Sequence, residues 1–299
     1  MNPFTNRGAI TNADDFFGRT EQLTEILTRL QRMQSPSIVG ERRIGKSSLL
    51  NYLTKKGVEK IADENYHFLY VDMMDARVFT ANGFFRHILK ELGIGDGLIR
   101  DEKTPDRNLC AFTDGLEGLT KQGKRVVLCL DEFENAFDHP KEFSDDFFDH
   151  MRSQINQGKF AMVTSSRKML RDLCASGKLT SPFYNVFTPI PLGFFTEQEA
   201  RLFIDTYHQL VNFSEQELKM VQSYVEPHPM KMQLRCDWVI RNRQKKLSEW
   251  ALTEEIDKET ASFFDRKVEP RKFWRYISVD LIAKGVKIIK DLRDMGTGK

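Results

Sequence analysis

Cysteine is scarce in this sequence, and its arrangement excludes two classes of protein. No C-x-x-C motif occurs, and the four cysteines lie far apart at Cys110, Cys129, Cys174 and Cys236. Closely spaced thiols are typical of zinc sites, and densely paired thiols are typical of small secreted domains. The sequence therefore predicts neither, and we expect small, mostly buried thiols in a reducing compartment.

Long apolar runs, low-complexity segments and internal repeats are also absent, and the sequence predicts no secretory leader. No apolar stretch approaches the roughly 20 residues that cross a bilayer, and residues 1–8 contain no apolar core of a signal peptide. We therefore expect a cytoplasmic protein. The 299 residues are 40% hydrophobic and 29% charged, which is typical of a soluble globular chain with one large or two modest domains.

Neither sign of charge dominates. The 45 basic and 43 acidic residues give a formal net charge of +2, so overall charge neither favours nor excludes a nucleic-acid partner. Only local clusters are informative, and one lies late in the chain. We interpret it either as a nucleic-acid contact or as a solvated helix face, and the second interpretation is favoured. Its members are Arg235, Arg241, Arg243, Lys245 and Lys246, followed by Arg266, Lys267, Arg271, Lys272 and Arg275.

One motif is present in full, a G-x-x-x-x-G-K-S phosphate loop. Its residues are Gly40, Glu41, Arg42, Arg43, Ile44, Gly45, Lys46, Ser47 and Ser48. The two glycines allow the backbone to wrap an anion, the lysine reaches the outer phosphates, and Ser47 offers a hydroxyl to Mg²⁺. An apolar run precedes the loop and helical spacing follows it, so a phosphate would lie at the positive end of a helix.

The chain changes character about two thirds of the way along. Before residue 195, strands are predicted to alternate with helices, which indicates an α/β fold with a parallel sheet. After Thr196 the pattern is wholly helical. We therefore expect a P-loop NTPase α/β core over 1–195, a smaller helical lid domain over 196–245 and a helical extension over 246–299. Predicted strands cover Ser37–Val39, Phe68–Asp72, Arg125–Asp131, Phe160–Ser165 and Val186–Leu192.

Apolar spacing places the helices between these strands. The first predicted helix has its N-terminus at Thr20 and Glu21 and apolar spacing from Leu23 to Met33, and Ser35-Pro36 is expected to end it before the first strand. The helix of the phosphate loop begins at Lys46. Three further helices are predicted around Phe84–Leu92, Leu109–Leu119 and Phe143–Ile155.

Acidic and basic side chains follow two of the predicted strands. Asp131 and Glu132 come directly after the strongest strand, where a carboxylate would hold magnesium and its neighbour would polarise the attacking water. Favourable acids at a helix N-terminus are the alternative, but the phosphate loop upstream favours catalysis. Glu134 is interpreted as the next residue of a solvated turn. Arg167 ends the fourth strand, where it either senses the γ-phosphate or caps a helix on the surface.

These elements together resemble STAND-type NTPases of the archaeal-ATPase branch of the AAA+ superfamily. The resemblance is carried by the Phe-Phe-Gly-Arg box at Phe16–Arg19, the phosphate loop, the Leu-Asp-Glu-Phe-Glu element and the Thr-Ser-Ser-Arg strand end. It covers about residues 3 to 240. The segment Pro189–Ala200 is similar to the family's linker into a helical lid.

The resemblance implies ATP or ADP and Mg²⁺ as ligands, with Ser47 and Asp131 at the metal. It places Phe17, Gly18 and Arg19 near the adenine, makes Arg167 the first sensor and brings Pro229 to the nucleotide from the lid. One departure concerns this lid contact. The family has Gly-His-Pro where this chain has Pro227-His228-Pro229, and we expect His228 simply to start a helix.

The function that the resemblance implies is an ATP-hydrolysing molecular switch, a homo-oligomer in its ATP state with a protein partner or effector. Two alternatives remain open, a DNA-associated AAA+ motor or loader and a nucleotide-bound scaffold that does not hydrolyse ATP. Arg42, Arg43 and Arg77 are candidates for contacts between subunits or with phosphate, although no motif supports any of them. A basic amphipathic helix is predicted at residues 281–293, as the start of a winged helix, a partner-docking segment, a membrane-surface helix or a plain core-facing helix.

Overall fold

The computed structural model describes residues 2–94, 105–224 and 226–243, together with Ala251, Glu254, Glu255 and Lys258. The strands are β1 Ser35–Val39, β2 Tyr66–Asp72, β3 Arg125–Asp131, β4 Phe160–Ser166 and β5 Phe187–Pro191. The helices are α1 Thr20–Leu30, α2 Lys46–Ile61, α3 Ala81–Glu91, α4 Pro105–Lys121, α5 Glu134–Asp138, α6 Asp145–Asn156, α7 Leu170–Ser176, α8 Glu197–Val211, α9 Glu215–Gln222 and α10 Pro229–Arg241. The helix predicted at residues 281–293 and most of the expected extension lie outside the described residues.

A single parallel sheet of five strands, in the order β2-β3-β4-β1-β5, confirms the predicted α/β fold class. Register pairs Asp72 with Asp131 and Val39 with Ser166. Because all the strands are parallel, their carboxyl ends meet at one edge, which is the edge where such sheets bind ligands.

Helices cover both faces of the sheet, so the central strands are buried on both sides. One face packs against α1 and α2, and β3 contributes Val127 and Cys129 to it. The other face packs against α3, α4 and α6, and β3 contributes Val126, Leu128 and Leu130. This alternation explains why β3 is a continuous apolar run rather than an alternating one.

The first helix ends earlier than its apolar spacing predicts. α1 ends at Leu30, Met33 adopts a left-handed φ of 53°, and β1 already begins at Ser35. Pro36 was expected to precede the strand but lies within it. β1 pairs with β4 only from Ser37 onward, so the ladder with β4 does not include Pro36, whereas the ladder with β5 pairs Pro36 with Thr188.

The starts of three other helices differ from the predicted ones, and α3 begins at Ala81 rather than at Phe84. α6 begins at Asp145, so Phe143 precedes the helix, although its side chain is buried in the same cluster. α4 begins at Pro105, earlier than the predicted Leu109, because proline is favoured in a first helical turn. Among the described residues, no helix is long and apolar enough to span a membrane.

The helices α8, α9 and α10 form a separate apolar cluster beyond β5. Thr196 and Ser214 begin α8 and α9 with capping boxes completed by Glu199 and Glu217, which satisfy the free N–H groups of each first turn. The cluster packs around Phe203, Ile204, Phe213, Val221 and Met232. We call α8–α10 the C-terminal helices.

The N-terminal segment, residues 2–12, joins the C-terminal helices to the core, and we call it the N-terminal strap. Phe4 is buried among the C-terminal helices, against Phe203 and Tyr207. Arg7 donates from Nη2 to Asp237 Oδ2 of α10 at 2.5 Å. At the other end of the strap, the N–H of Ile10 donates to Ser48 Oγ of α2 at 2.9 Å.

The phosphate loop, Gly40–Ser48, is seated directly on the segment that follows β5. A Cβ atom on Gly40 would lie 2.5 Å from the carbonyl oxygen of Leu192 and 2.9 Å from Ile44 Cγ2. Since neither a backbone oxygen nor the buried Ile44 has room to move, this position requires glycine. The contact between Gly40 and Leu192 therefore fixes the position of the phosphate loop relative to the segment that follows β5.

Replacing Gly40 with alanine is therefore expected to lower the free energy of unfolding by about 1–3 kcal/mol through overpacking. The matched control is Gly118→Ala in α4, where an added Cβ meets no atom within 4 Å and where alanine favours the helix by about 0.5–1 kcal/mol. Thermal unfolding should show the two variants shifting Tm in opposite directions. Equal shifts would contradict the close approach of Gly40.

Removing the side chain of Phe4 should loosen the strap. Phe4→Ala is expected to lower the free energy of unfolding by about 3–5 kcal/mol, because Phe4 is 1% exposed and a large cavity replaces it. Phe79→Ala, at a position 39% exposed, is the control and should lose less than about 1 kcal/mol. Urea unfolding measures both, and a loss at Phe4 no larger than at Phe79 would show that the strap is not packed as described.

Candidate functional site

The carboxyl edge of the sheet brings the predicted site residues together. The phosphate loop follows β1, Asp131 ends β3 and Arg167 follows β4. The N–H of Gly40 donates to the carbonyl of Ser166 at 3.2 Å, so the loop is bonded directly to the end of β4. Because β4 lies between β1 and β3 in the sheet, the residues that follow these three strands are neighbours at its carboxyl edge.

Two left-handed residues shape the phosphate loop and turn it into α2. Gly45, with φ 108°, is the N-cap of α2, and Arg43 has φ 65°. The helix begins at Lys46, as predicted, so its first N–H groups and the positive end of its dipole face the loop. Ile44 is fully buried, Ser47 and Ser48 are half-buried in the first turn, and Arg42 is exposed.

Lys46 lies inside the loop rather than on the surface. Its side chain is 5% exposed, and Nζ donates to the carbonyls of Gly40 at 3.0 Å and Glu41 at 3.1 Å. Burial lowers the pKa of Lys46, while the carboxylates of Glu132, Glu134 and Asp131 oppose that shift. These acids are therefore close enough to stabilise a buried ammonium group.

Asp131 is buried and held by three donors. Its Oδ2 accepts from the Tyr70 hydroxyl at 2.9 Å, and its Oδ1 accepts from Ser165 Oγ and from the N–H of Glu132 at 3.1 Å. Burial, reinforced by the charge of Asp131, raises the pKa of Tyr70 and keeps the phenol a donor. Sequence reasoning missed Tyr70 and Ser165. Their positions near the ends of two predicted strands were the available signal.

Glu132 combines backbone strain with an unusual charge environment. Its φ of 48° lies in the left-handed region, which is uncommon for a residue with a Cβ. Burial raises the pKa of Glu132, the nearby Glu134 and Asp131 carboxylates add to the rise, and Lys46 opposes it. The carboxylate is consequently a better proton acceptor than an exposed glutamate.

Glu134 differs from the predicted solvated turn residue. It is 9% exposed and begins α5. Its Oε1 accepts from Arg167 Nε at 3.0 Å and from the N–H of Arg167 at 3.3 Å. Sequence reasoning missed this pairing because the chain folds back through α6 and β4 before Arg167 arrives beside α5.

Arg19 lies at the junction between the phosphate loop and the C-terminal helices. It is 3% exposed, and it donates to Ile44 O of the loop at 3.0 Å and to Phe194 O before α8 at 3.2 Å. Its guanidinium also lies 4.8 Å from the ring centroid of Phe195. Burial lowers the pKa of Arg19 to about 10, and the charge of Glu199 opposes that shift. The guanidinium therefore stays charged at neutral pH.

The neighbours of Arg19 in the Phe-Phe-Gly-Arg box reach the same junction. Phe17 packs edge-on against Phe195 and Phe203. Gly18 has φ 71°, and a Cβ there would lie 3.0 Å from Glu199 Oε1. The box as a whole thus faces the start of α8.

His228 makes a second contact between the C-terminal helices and the loop. It is the N-cap of α10, as expected for a helix-start residue, and its Nδ1 accepts from the N–H of Met230 at 3.1 Å. Its Nε2 lies 3.5 Å from Glu41 Oε1 of the phosphate loop. Burial and the charge of Lys231 lower the pKa of His228 to about 3, so the ring is neutral. Pro229 is the first residue of α10 and is half-buried.

The remaining arginines with predicted roles lie apart from the sheet edge or make contacts within the chain. Arg77 pairs with Asp75 after β2, and Arg43 donates to the carbonyl of Arg7 at 2.5 Å. The described part of the late basic cluster is used internally, since Arg235 donates to Met220 O, Arg241 pairs with Asp237 and Arg243 pairs with Glu217. Lys245, Lys246 and the later members of the cluster lie outside the described residues.

Solved structures share this fold at low sequence identity. A Walker-type ATPase of Pyrococcus abyssi has a TM-score of 0.65 at 14% identity, with 92% of this chain and 81% of that chain covered. The ORC2 protein of Aeropyrum pernix, solved as ADPNP–ADP complexes, has a TM-score of 0.60 at 14% identity, with 85% and 71% covered. The ORC1 protein of the same organism, solved in complex with DNA, has a TM-score of 0.51 at 12% identity, with 83% and 68% covered.

One protein family matches the sequence itself. No sequence among the curated proteins matches the chain. The family described as Novel STAND NTPase 2 matches residues 30–221, which is more than half of the chain. The match includes the phosphate loop, Asp131, Glu132 and Arg167, which the sheet edge assembles into one site. The chain therefore belongs to the Novel STAND NTPase 2 family, a group of P-loop NTPases of the AAA+ type.

Proposed function

We propose that this protein is an ATP-binding and ATP-hydrolysing molecular switch, with a P-loop NTPase core over 1–195 and a lid over 196–245. The observation that carries the proposal is the meeting of Lys46, Asp131, Glu132 and Arg167 at the carboxyl edge of the sheet. These side chains supply what phosphoryl transfer to water requires, which is charge stabilisation and a positioned nucleophile.

The residues present fit ATP and Mg²⁺. The start of α2, which faces the phosphate loop, and the buried ammonium of Lys46 suit a polyphosphate. Ser47 and Asp131 offer the oxygen ligands that Mg²⁺ prefers, and Tyr70 and Ser165 orient the carboxylate of Asp131. When bound there, Mg²⁺ would neutralise charge on the β and γ phosphates.

Each side chain then has a role in hydrolysis. Lys46 would exchange its bonds to the loop carbonyls for the β and γ phosphate oxygens. Glu132, with its raised pKa, would accept a hydrogen bond from the attacking water and orient it toward the γ-phosphorus. Arg167 would donate to the γ-phosphate oxygens, whose charge shifts as the bond to the leaving ADP breaks.

Two substitutions separate binding from chemistry. Lys46→Ala should weaken ATP binding by about 10- to 100-fold, because it removes charge-assisted hydrogen bonds. Glu132→Gln should leave the Kd for ATP within about twofold but lower kcat by about 100-fold or more, since the amide does not accept a proton. Calorimetry gives Kd, and phosphate release gives kcat.

Lys56→Ala is the matched control for Lys46. Lys56 lies in the same helix and pairs with Glu59 on the surface at 3.0 Å, so its removal should change neither Kd nor kcat. Unchanged ATP affinity and turnover in Lys46→Ala would refute the proposed site. Normal turnover in Glu132→Gln would instead leave a nucleotide site with a different water-orienting group.

The switch part of the proposal is supported by contacts between the phosphate loop and the proposed lid. Arg19 and His228 each bridge the loop to the C-terminal helices, and the strap makes a further link through Arg7 and Asp237. A nucleotide that rearranges the loop would change the partners of these groups and bias the lid orientation. Self-association in the ATP state and contact with a protein effector belong to the same proposal.

A distance between core and lid tests the switch. Cys110 is exposed on α4, the other cysteines in the described residues are buried, and Leu210 on α8 is 70% exposed. Energy transfer between dyes on Cys110 and on Leu210→Cys, in a Glu132→Gln background, should differ between ADP and ATP because the lid moves relative to the sheet. A pair on Cys110 and Thr28→Cys, both in the core, should not respond. Identical distances for the first pair with both nucleotides would refute a lid that senses nucleotide.

A further inference from the structure

Glu134 is a charged side chain in the site with no role in the proposed mechanism so far. Its side chain is 11% exposed, whereas the side chain of its partner Arg167 is 53% exposed. Both the Nε and the backbone N–H of Arg167 donate to the same oxygen, Oε1 of Glu134. A two-point attachment of this kind constrains the arginine at both its backbone and its guanidinium end.

The element that carries Glu134 is itself firmly held. The N–H of Phe133 donates to Ser165 O of β4 at 2.9 Å, which bonds the turn after β3 to the neighbouring strand. Phe133 is fully buried and packs edge-on against Phe137 and Phe148. Glu134 is therefore presented from a rigid support, which a group that orients another side chain requires.

A structural role alone does not account for a carboxylate at this position. Among the described residues, no group donates to the buried Oε2 of Glu134. A buried charged oxygen without a donor is unfavourable, and such atoms in native proteins call for an explanation other than stability. Glu134 also adds negative charge beside Glu132 and Lys46, whose pKa values it shifts upward. A carboxylate in this position fits a role in the site.

We propose that Glu134 is a positioning residue that holds Arg167 in the orientation needed to donate to the γ-phosphate. This inference rests on the proposed function, because it presupposes ATP hydrolysis. Glu134 acts through Arg167 and does not contact the nucleotide. Its effect is consequently expected on the chemical step rather than on ATP affinity.

A double-mutant cycle tests the inference. Glu134→Ala should lower the single-turnover rate of MgATP hydrolysis by about tenfold or more, because a misplaced arginine loses its alignment. The Kd for ATP should stay within about twofold. Arg167→Ala should lower the rate at least as much, and the double variant should be no slower than Arg167→Ala within about twofold, since both changes remove one unit.

Glu134→Gln tests whether the hydrogen bonds to Arg167, rather than the stability of the fold, account for a loss of rate in Glu134→Ala. Its side-chain carbonyl accepts the same two hydrogen bonds at nearly the same volume, so this variant should keep the rate within about threefold of wild type. Arg171→Ala is the matched control, because Arg171 is an exposed arginine on α7 that pairs with Asp172 at 3.8 Å. Its rate should equal that of wild type, and thermal unfolding of every variant reports folding.

Three results would overturn the inference while leaving the proposed function standing. These are a normal rate in Glu134→Ala, a double variant whose rate falls by the product of the two single effects, and a Glu134→Gln variant as slow as Glu134→Ala. A wild-type chain that binds MgATP without turning it over would contradict the proposed hydrolysis itself, and with it any role of Glu134 in that step.

Discussion

The arrangement of the site depends on the hydrogen bonds that the buried guanidinium of Arg19 donates. A buried cation is unfavourable unless its donors are satisfied, and Arg19 meets this need with Ile44 O from the phosphate loop and Phe194 O from the segment before α8. Its N–H also donates to Glu199 Oε1 at 2.5 Å. Because these acceptors belong to different parts of the chain, Arg19 joins the phosphate loop to the segment that leads into the C-terminal helices.

The charges at the sheet edge depend on one another in a similar way. Lys46 is buried beside Asp131, Glu132 and Glu134, so each acid helps to keep the ammonium charged. Removing water from the site strengthens all these interactions at once. Lys46 and Arg167 are thus the cations of the site, and both have carboxylate partners within the chain.

Local sequence patterns predicted the elements whose structure depends mainly on residues that are close together in the chain. The phosphate loop, the start of its helix at Lys46 and the end of β3 at Asp131 follow from motif spacing and apolar runs. The partners of Asp131 and the pairing of Glu134 with Arg167 did not follow, because they depend on strand order, which brings residues more than 30 positions apart into contact. The early end of α1 was missed because apolar spacing continues through Met33, which packs on the core without being helical.

The central claim is that nucleotide binding at the phosphate loop changes the conformation of the C-terminal helices. Hydrogen exchange measured by mass spectrometry tests this claim most directly. The account predicts that an ATP analogue with Mg²⁺ slows exchange in the loop, and that peptides covering Phe194–Glu199 and the start of α10 change in the same titration. Protection of the loop with unchanged exchange in both of those segments would contradict the coupling.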